Sequence, residues 1–213
     1  MIQMKQVSKT YYGDQVETKV LESVDLTVEK GEFVSLYGKS GCGKTTLLNL
    51  LGLIDTPTAG EYWLDEVNTG TCKPKELAGL RNRKIGFIFQ SFYLISRLSV
   101  LDNVILPMKY AGVPRKEREE RARVLLAEVG LTERMSYLPS RLSGGEKQRT
   151  AIARALANHP AYILADEPTG SLDGENRDRI MEILTGLNQK GHTIVMVTHD
   201  KELAGYSSRI IQM

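Results

Sequence analysis

The sequence has little of several features that mark whole classes of protein. With only two cysteines, Cys42 and Cys72, it predicts neither a disulfide framework nor a four-cysteine zinc site. Its longest apolar stretch, residues 47–54, is interrupted by Asn49 and Gly52 and is far shorter than the ~20 residues that span a membrane. The 28 Lys and Arg are balanced by 26 Asp and Glu, and a net charge of +2 gives no reason to expect a nucleic-acid partner.

The length, the hydrophobic content and the N-terminal residues limit the possible domain organisation and cellular location of the protein. With 213 residues, 41% of them hydrophobic, the chain is large and apolar enough for one packed domain or a domain with a subdomain, and too apolar for a disordered segment. Residues 1–5 lack the apolar core of a signal peptide. We therefore expect a soluble cytosolic protein without direct membrane insertion, so that any role at a membrane requires a partner protein.

Three short apolar segments have the composition of strands buried on both faces of a parallel sheet. They are residues 33–37, 161–165 and 194–197. Each leads directly into glycine or polar residues, and ligands bind at the carboxyl ends of strands in open α/β sheets. Helical patterns at 45–51 and 176–190 follow the first two segments, so the sequence predicts an α/β fold with a site at this edge.

Two other regions depart from this pattern. Over residues 1–30, apolar positions such as Val7, Leu26 and Val28 are separated by polar ones, which predicts an antiparallel sheet with one solvent-exposed face. Residues 91–158 are mostly helical, and apolar positions 122, 125, 126 and 129 have the spacing of a helix with one buried face. We expect one domain over 1–213, with a core of residues 1–90 and 159–213 and a helical subdomain of residues 91–158.

Residues 38–45, GKSGCGKT, match the phosphate-binding pattern G-x-x-x-x-G-K-[ST] at every position. Their glycines let backbone N–H groups turn inward around phosphate oxygens, and the following helix adds its positive dipole end. A dinucleotide fingerprint would need glycine in place of Thr46, and a nucleophile elbow would need glycine in place of Cys42. The sequence therefore predicts a P-loop nucleotide site. Its expected residues are Gly38, Lys39, Ser40, Gly41, Cys42, Gly43, Lys44, Thr45 and Thr46.

The chemistry of this loop extends to the end of the second buried strand. Lys44 is expected to reach the β- and γ-phosphates, and the Thr45 hydroxyl supplies a hard oxygen for Mg²⁺. Asp166 can hold Mg²⁺ through water, and Glu167 can act as base for an attacking water. The pair could instead be only a strand end entering the turn at 168–170, but the phosphate loop favours the metal and base interpretation.

A second motif indicates which class of P-loop protein this is. The sequence LSGGEKQR at 142–149, followed by an alanine-rich helix, resembles the signature sequence of the ABC ATPases. Other motifs of that family occur in the family's order. Gln90 resembles the Q-loop glutamine, residues 171–173 resemble the D-loop, and His199 resembles the switch histidine. Tyr11 resembles the aromatic residue that stacks on adenine, with Tyr12 as a second candidate.

The resemblance covers essentially the whole chain and implies a homodimer that closes on two ATP molecules. Each ATP would lie between the phosphate loop of one subunit and Ser143, Gly144, Gly145 and Glu146 of the other. Gln90 would contact Mg²⁺ and the attacking water, Glu167 would polarise that water, and His199 would contact the γ-phosphate. Asp173 would link the two sites. ATP and Mg²⁺ are the implied cofactors, and ATP hydrolysis is the implied reaction.

Three further segments, 102–107, 110–113 and 165–173, resemble the lipoprotein-releasing and macrolide-export group of this family. That resemblance implies an integral membrane permease as partner, a location at the cytoplasmic face of the membrane, and export or extraction of a lipophilic or peptide-like substrate. Residues 91–97, with Phe92, Tyr93 and Leu94, are the expected docking segment, unless these side chains belong to the core.

Two other functions stay open at this point. The ATPase could serve a complex that regulates an extracytoplasmic enzyme without transport, or it could be a soluble non-transport ABC ATPase. Proteins of the last class usually carry paired ATPase domains, coiled-coil insertions or basic tails, and the sequence has none of these. The chain also departs from the family pattern, because Glu146 stands where glutamine is usual and the sequence ends at Met213, where relatives continue. We expect function to survive the change at position 146.

Overall fold

The computed structural model describes residues 1–13 and 16–213, which form nine strands and seven helices. The strands are β1 Ile2–Tyr12, β2 Glu17–Val28, β3 Phe33–Tyr37, β4 Ala59–Leu64, β5 Val67–Asn68, β6 Ile85–Phe89, β7 Tyr162–Asp166, β8 Thr193–Thr198 and β9 Arg209–Gln212. The helices are α1 Lys44–Leu51, α2 Pro74–Lys84, α3 Val100–Tyr110, α4 Arg115–Glu128, α5 Gly144–Ala155, α6 Gly174–Gln189 and α7 Lys201–Ala204.

The strands form two sheets. The first is antiparallel in the order β2-β1-β4-β5, and the second is parallel in the order β6-β7-β8-β3-β9. The continuous apolar segments predicted as parallel strands are β3, β7 and β8, and they lie at the centre of the second sheet. Because parallel neighbours align their carboxyl ends, Gly38, Glu167 and His199 come to one edge. The predicted α/β fold class is confirmed.

Hydrophobic clusters lie on both faces of the parallel sheet. One joins helices α3–α6 to residues such as Ile163 and Met196. The other joins the antiparallel sheet and α1 to the alternate residues Leu164 and Val197. Because successive side chains of a strand point to opposite faces, each central strand contributes to both clusters. This explains why its sequence is apolar throughout rather than alternating.

The predicted apolar face of α4 is present. Ala122, Leu125 and Leu126 are buried, as is Val129 directly after the helix. This face packs in the same cluster as residues of the parallel sheet, so the helices of 91–158 share a core with the sheet. The division of the chain at residues 91 and 158 stays a prediction. No helix within 1–13 and 16–213 combines the length and apolar character needed to cross a bilayer.

Candidate active site

The phosphate loop joins β3 to α1 and depends on two left-handed glycines. Gly41 has φ +85° and Gly43 has φ +93°, a region that side chains with a β-carbon rarely adopt. Gly38 is required for a different reason, because a β-carbon there would lie 2.7 Å from the backbone carbonyl oxygen of Met213 and 2.8 Å from Cys42 Sγ. The three glycines predicted to form the phosphate cradle therefore occupy positions where a residue with a β-carbon would be strained or would clash.

Lys44 is the first residue of α1, and its ammonium group folds back across the loop. Only 6% of the residue is exposed, and Nζ donates hydrogen bonds to the carbonyl oxygens of Gly38 at 2.7 Å and Lys39 at 2.8 Å. This holds a positive charge beside a cavity of about 260 Å³. The described residues that line the cavity are Val20, Ser40, Gly41, Gly43, Lys44, Thr45, Thr46 and Glu167.

Hard oxygen ligands for Mg²⁺ meet at the edge of this cavity. Thr45 Oγ1 lies 3.4 Å from Asp166 Oδ1, at the end of β7. Burial and then the neighbouring charge of Glu167 raise the pKa of Asp166. Within the described part of the chain, no group of three or more His, Cys, Asp or Glu side chains could hold a metal by itself. The Thr45 hydroxyl and the Asp166 carboxylate are donors that fit Mg²⁺, which proteins usually bind through one or two carboxylates together with substrate phosphates.

Glu167 follows β7 directly and meets His199, which follows β8. Glu167 Oε1 lies 2.8 Å from His199 Nδ1, and the Glu167 side chain lines both the phosphate-loop cavity and an adjoining cavity of about 200 Å³ that contains His199. The backbone of Glu167 has φ +45°, and its N–H donates to the carbonyl oxygen of Val197 at 3.0 Å. The two expected catalytic side chains are thus in direct contact.

Gln90 follows β6 and reaches the same turn. A β-carbon placed on Gly170 would lie 2.8 Å from Gln90 Nε2 and 3.4 Å from Glu167 Oε2, so the amide and the carboxylate converge above this glycine. The Ser171 hydroxyl donates to the Gln90 carbonyl oxygen at 3.3 Å. The structure therefore brings together Gln90 and Glu167 from separate strands.

Tyr11 lies at the end of β1, where side chains of the α1–β4 loop hold its ring. Its hydroxyl donates to Asp55 Oδ2 at 2.9 Å. The ammonium of Lys9 lies 4.9 Å from the ring centre and donates to Asp55 Oδ1 at 2.6 Å. Burial and then the bond to Asp55 raise the pKa of Tyr11. The alternative, Tyr12, is 72% exposed.

The signature segment forms the start of α5. Ser143 caps the helix, because its Oγ accepts from the Glu146 N–H at 3.2 Å while Glu146 Oε2 accepts from the Ser143 N–H at 2.8 Å. Glu146 Oε1 also accepts from Arg134 Nε at 2.8 Å. Arg134 and then the Ser143 N–H hold the pKa of Glu146 below its usual range. The extra negative charge at position 146 therefore has a partner within the same chain.

The signature turn packs tightly against the D-loop. A β-carbon on Gly145 would lie 2.0 Å from Asn176 Oδ1, and one on Gly144 would lie 3.3 Å from the Leu172 side chain. Asn176 in turn donates to both carboxylate oxygens of Asp173, at 2.9 and 3.1 Å. Asp173 caps α6 through the Asn176 N–H, and that bond lowers its pKa. Residues 143–146 and Asp173 are not among the described residues that line the phosphate-loop cavity.

The segment after Gln90 borders a large groove of about 770 Å³. Tyr93 is 65% exposed and packs edge-on against Phe89, with 5.0 Å between the ring centres, whereas Phe92 and Leu94 are half-buried. Arg154 donates to the carbonyl oxygens of Phe92 at 2.6 Å and Tyr93 at 2.5 Å. Both aromatic residues have left-handed backbones, with φ +59° and +45°. Burial lowers the pKa of Arg154 to about 10.

Sequence patterns missed some residues of the site. Val20 lines the phosphate-loop cavity, yet in sequence it resembles any other apolar strand residue. Lys9 and Asp55 hold Tyr11, but they are 46 positions apart and belong to no motif. The only available signal was the proximity of Lys9 to Tyr11 in sequence. The individual roles expected for Gln90, Glu167 and His199 stay predictions, although the three residues lie at one edge of the sheet.

Comparisons with known proteins place the chain in a family. Residues 21–170 match the family model described as ABC transporter. The lipoprotein-releasing system ATP-binding protein LolD of Aquifex aeolicus is 52% identical, over 92% of this chain and 87% of that protein. The macrolide export ATP-binding/permease protein MacB of Escherichia coli is 49% identical over the whole chain, which covers only 33% of MacB.

A solved structure matches the fold closely. It is a dimeric, post-hydrolysis state of the ATP-binding cassette MJ0796 bound to ADP and Pi, with 43% identity and a TM-score of 0.93 over 100% of this chain and 94% of that one. The family resemblance expected from the sequence motifs is thus confirmed, including its lipoprotein-releasing and macrolide-export branch. The chain belongs to the ABC transporter family and is one of its ATPase domains, with ATP and Mg²⁺ as cofactors.

Proposed function

We propose that two copies of this chain hydrolyse ATP at shared sites and thereby power a membrane permease that exports or extracts a lipophilic or peptide-like substrate. The observation that carries the hydrolytic part is the 2.8 Å contact between Glu167 and His199 beside the cavity of Lys44. LolD and MacB, whose names refer to lipoprotein release and macrolide export, support the choice of substrate class.

In the proposed reaction, the loop binds the triphosphate and the turn after β7 positions the water. Lys44 exchanges its two carbonyl partners for β- and γ-phosphate oxygens, and the N–H groups of the loop bind the remaining charge. Thr45 and Asp166 would hold Mg²⁺, with Gln90 beside it, and bound Mg²⁺ would neutralise charge on the phosphates. These residues orient ATP so that its γ-phosphate faces Glu167.

In this proposal Glu167 accepts a hydrogen bond from the attacking water. The water oxygen forms a bond to the γ-phosphorus, the bond from that phosphorus to the β–γ bridging oxygen breaks, and Glu167 accepts the water proton. His199 Nδ1 fixes the carboxylate rotamer through the 2.8 Å contact and leaves Nε2 free to approach the γ-phosphate. Tyr11 would stack on the adenine.

A shared site accounts for the outward position of the signature turn. Ser143 is exposed and caps α5, and Glu146 is paired with Arg134, so this helix start presents unpaired N–H groups without a free negative charge. We infer that it binds the ATP held by a second copy, with Asp173 at the interface. The dimeric MJ0796 structures support this arrangement.

The groove beside residues 91–97 is the proposed permease site, at the cytoplasmic face of the membrane. Phe87, Phe89, Tyr93 and Tyr110 give it an apolar wall, and Tyr110 is 79% exposed. An amphipathic helix of a partner can bury its apolar face in such a groove. Displacement of the partner helix would move the backbone that follows Gln90.

One experiment tests both the reaction and the partner. Glu167→Gln should bind ATP, lose most turnover and accumulate as an ATP-bound dimer, and the tagged variant should retain a permease when recovered from gently solubilised native membranes with ATP and Mg²⁺. Lys44→Ala is the matched control, because it should bind little ATP and form no such dimer. Normal turnover by Glu167→Gln would refute the role of Glu167. Recovery of soluble proteins alone would refute the permease while leaving the ATPase intact.

A further inference from the structure

Gln148 is a polar residue at a fully buried position of α5. Its exposure is 0%, and its Nε2 donates to the carbonyl oxygen of Pro168 at 2.5 Å. Its Oε1 has no hydrogen-bond partner in the described chain. A buried amide with one unpaired atom is less favourable than an apolar side chain of the same size. Packing alone therefore does not explain a glutamine here, and the bond to Pro168 is the feature that distinguishes it.

Pro168 belongs to the turn that holds Glu167 in an unfavourable backbone conformation. Glu167 has φ +45°, a left-handed region that costs free energy for a residue with a β-carbon. A following proline restricts the preceding residue to extended backbone angles with negative φ, and the φ of Glu167 lies outside that range. Such conformations persist only where surrounding contacts determine them, and they are concentrated at functional sites. The contacts that fix this turn therefore set the direction of the Glu167 carboxylate.

Other contacts of the turn come from the parallel sheet, from residues that directly follow its strands, and from the turn itself. The Glu167 N–H donates to Val197 O at 3.0 Å, the Gly170 N–H donates to Glu167 O at 3.1 Å, and His199 contacts the Glu167 side chain. Gln148 adds a contact from α5, which begins at the signature turn. The position of Pro168 is thus tied to the helix that carries Ser143.

We propose that Gln148 is a positioning residue for Glu167. Its amide holds the Pro168 carbonyl, which maintains the left-handed backbone that directs the Glu167 carboxylate toward His199 and the phosphate-loop cavity. This role rests on the proposed function of Glu167 in hydrolysis. A shift of α5 would move Pro168 through the same hydrogen bond. In the proposed dimer, the signature turn contacts the ATP held by the second copy, so this contact would change the position of Glu167, which acts on the ATP held by its own chain.

The test compares two substitutions in the same helix. Gln148→Met keeps the length and apolar stem of the side chain but removes the donor. Thr150→Val is the matched control, because Thr150 is equally buried and its hydroxyl donates to the Glu146 carbonyl oxygen at 2.8 Å rather than to the turn at Pro168. For each we would measure kcat and KM for ATP, the dissociation constant of a fluorescent ATP analogue, and Tm.

If Gln148 positions Glu167, its substitution should lower kcat and leave nucleotide affinity nearly unchanged. Gln148→Met should lower kcat by about tenfold or more and change nucleotide affinity by less than about twofold. Thr150→Val should keep kcat, because it removes a buried hydroxyl of the same helix without affecting the bond to Pro168. Where Gln148→Met does not fold, Gln148→Leu removes the same donor and carries the same expectation. Wild-type kcat in the Gln148 variant, or an equal loss of kcat in Thr150→Val, would overturn the proposal.

Glu167→Gln in the same assays distinguishes the role of Glu167 in hydrolysis from the role of Gln148 in positioning it. Turnover retained in Glu167→Gln would refute the proposed role of Glu167, and the role of Gln148 with it. Turnover lost in Glu167→Gln but retained in Gln148→Met would refute the positioning role alone.

Discussion

Replacing Asp55 with alanine should weaken both the fold and its affinity for ATP, for one structural reason. The Asp55 carboxylate accepts hydrogen bonds from Lys9 Nζ at 2.6 Å and from the Tyr11 hydroxyl at 2.9 Å. Lys9 is a buried residue, only 9% exposed, and in Asp55→Ala its ammonium keeps the Thr56 carbonyl oxygen at 2.9 Å but loses its counter-charge. Tyr11 loses the acceptor that holds its ring beside α1.

The two effects differ in size. A hydrogen bond to a charged, buried group contributes about 1.5–3 kcal/mol, so Asp55→Ala should lower the free energy of unfolding by about 2 kcal/mol. Stacking of one base on an aromatic ring contributes about 1–3 kcal/mol, which is the loss expected for Tyr11→Ala. Asp55→Ala leaves the ring present but unanchored, so ATP affinity should fall by about fivefold, the lower part of that range. Binding of tripolyphosphate, which has no base, should not change.

The assays are urea unfolding and titration with ATP and with tripolyphosphate. In the double variant Lys9→Met/Asp55→Ala the uncompensated ammonium is absent, so stability should recover by about 1–2 kcal/mol while ATP affinity stays low. Wild-type stability in Asp55→Ala would refute the reasoning about Lys9. Equal losses of affinity for ATP and tripolyphosphate would refute the reasoning about Tyr11, since only the base contacts that ring.

The effect of Asp55 on stability should also depend on pH. Burial acts to raise its pKa, but the bonds from Lys9, Thr56 and Tyr11 together outweigh burial and lower the pKa. A carboxyl with a lowered folded-state pKa stabilises the fold above its unfolded pKa of about 3.9 and loses this contribution as pH falls through the folded value. The difference in unfolding free energy between wild type and Asp55→Ala should therefore shrink below about pH 4.

Two further substitutions test the signature turn. Gly145→Ala would place a β-carbon 2.0 Å from Asn176 Oδ1, so it should abolish ATP-dependent dimerisation, measured by light scattering, while nucleotide binding persists. Gly174→Ala, where a β-carbon would meet nothing within 4 Å, is its control and should dimerise normally. Glu146→Gln keeps the oxygen that caps α5 and loses only the charge paired with Arg134, so its ATPase rate should equal that of wild type; a marked change would mean that this charge reaches the nucleotide.

Much of the parallel sheet could be predicted because its determinants are local. Strands such as β7 and β8 are apolar throughout, and the polar residues that follow them reveal the ligand edge. The order of the strands could not be predicted in the same way, because it depends on crossovers between distant segments. β3 lies between β8 and β9, so its neighbours come from the far end of the chain.

The residues of the site also differ in whether they could be predicted, depending on whether their determinants are local in sequence. Lys44 and Thr45 were identifiable because the phosphate-loop pattern encodes a backbone shape that only glycine-rich sequences adopt. Lys9 and Gln148 were not, because each is a polar residue whose burial is produced by a distant segment. Lys9 is covered by the loop after α1, and Gln148 is covered by the turn at Pro168. Burial of this kind is a property of tertiary packing and leaves no periodicity in the sequence.

Helix α5 has a polar contact at each end, and together these constrain its length. Ser143 forms the cap at the N-terminal end, and Arg154 binds the carbonyl oxygens of Phe92 and Tyr93 near the C-terminal end. Each residue inserted between them would rotate one end by about 100° and translate it by about 1.5 Å relative to the other. A single insertion would therefore turn the arginine away from the groove while the cap remained in place. We therefore expect an insertion or deletion in this helix to be more damaging than a substitution of one of its exposed side chains.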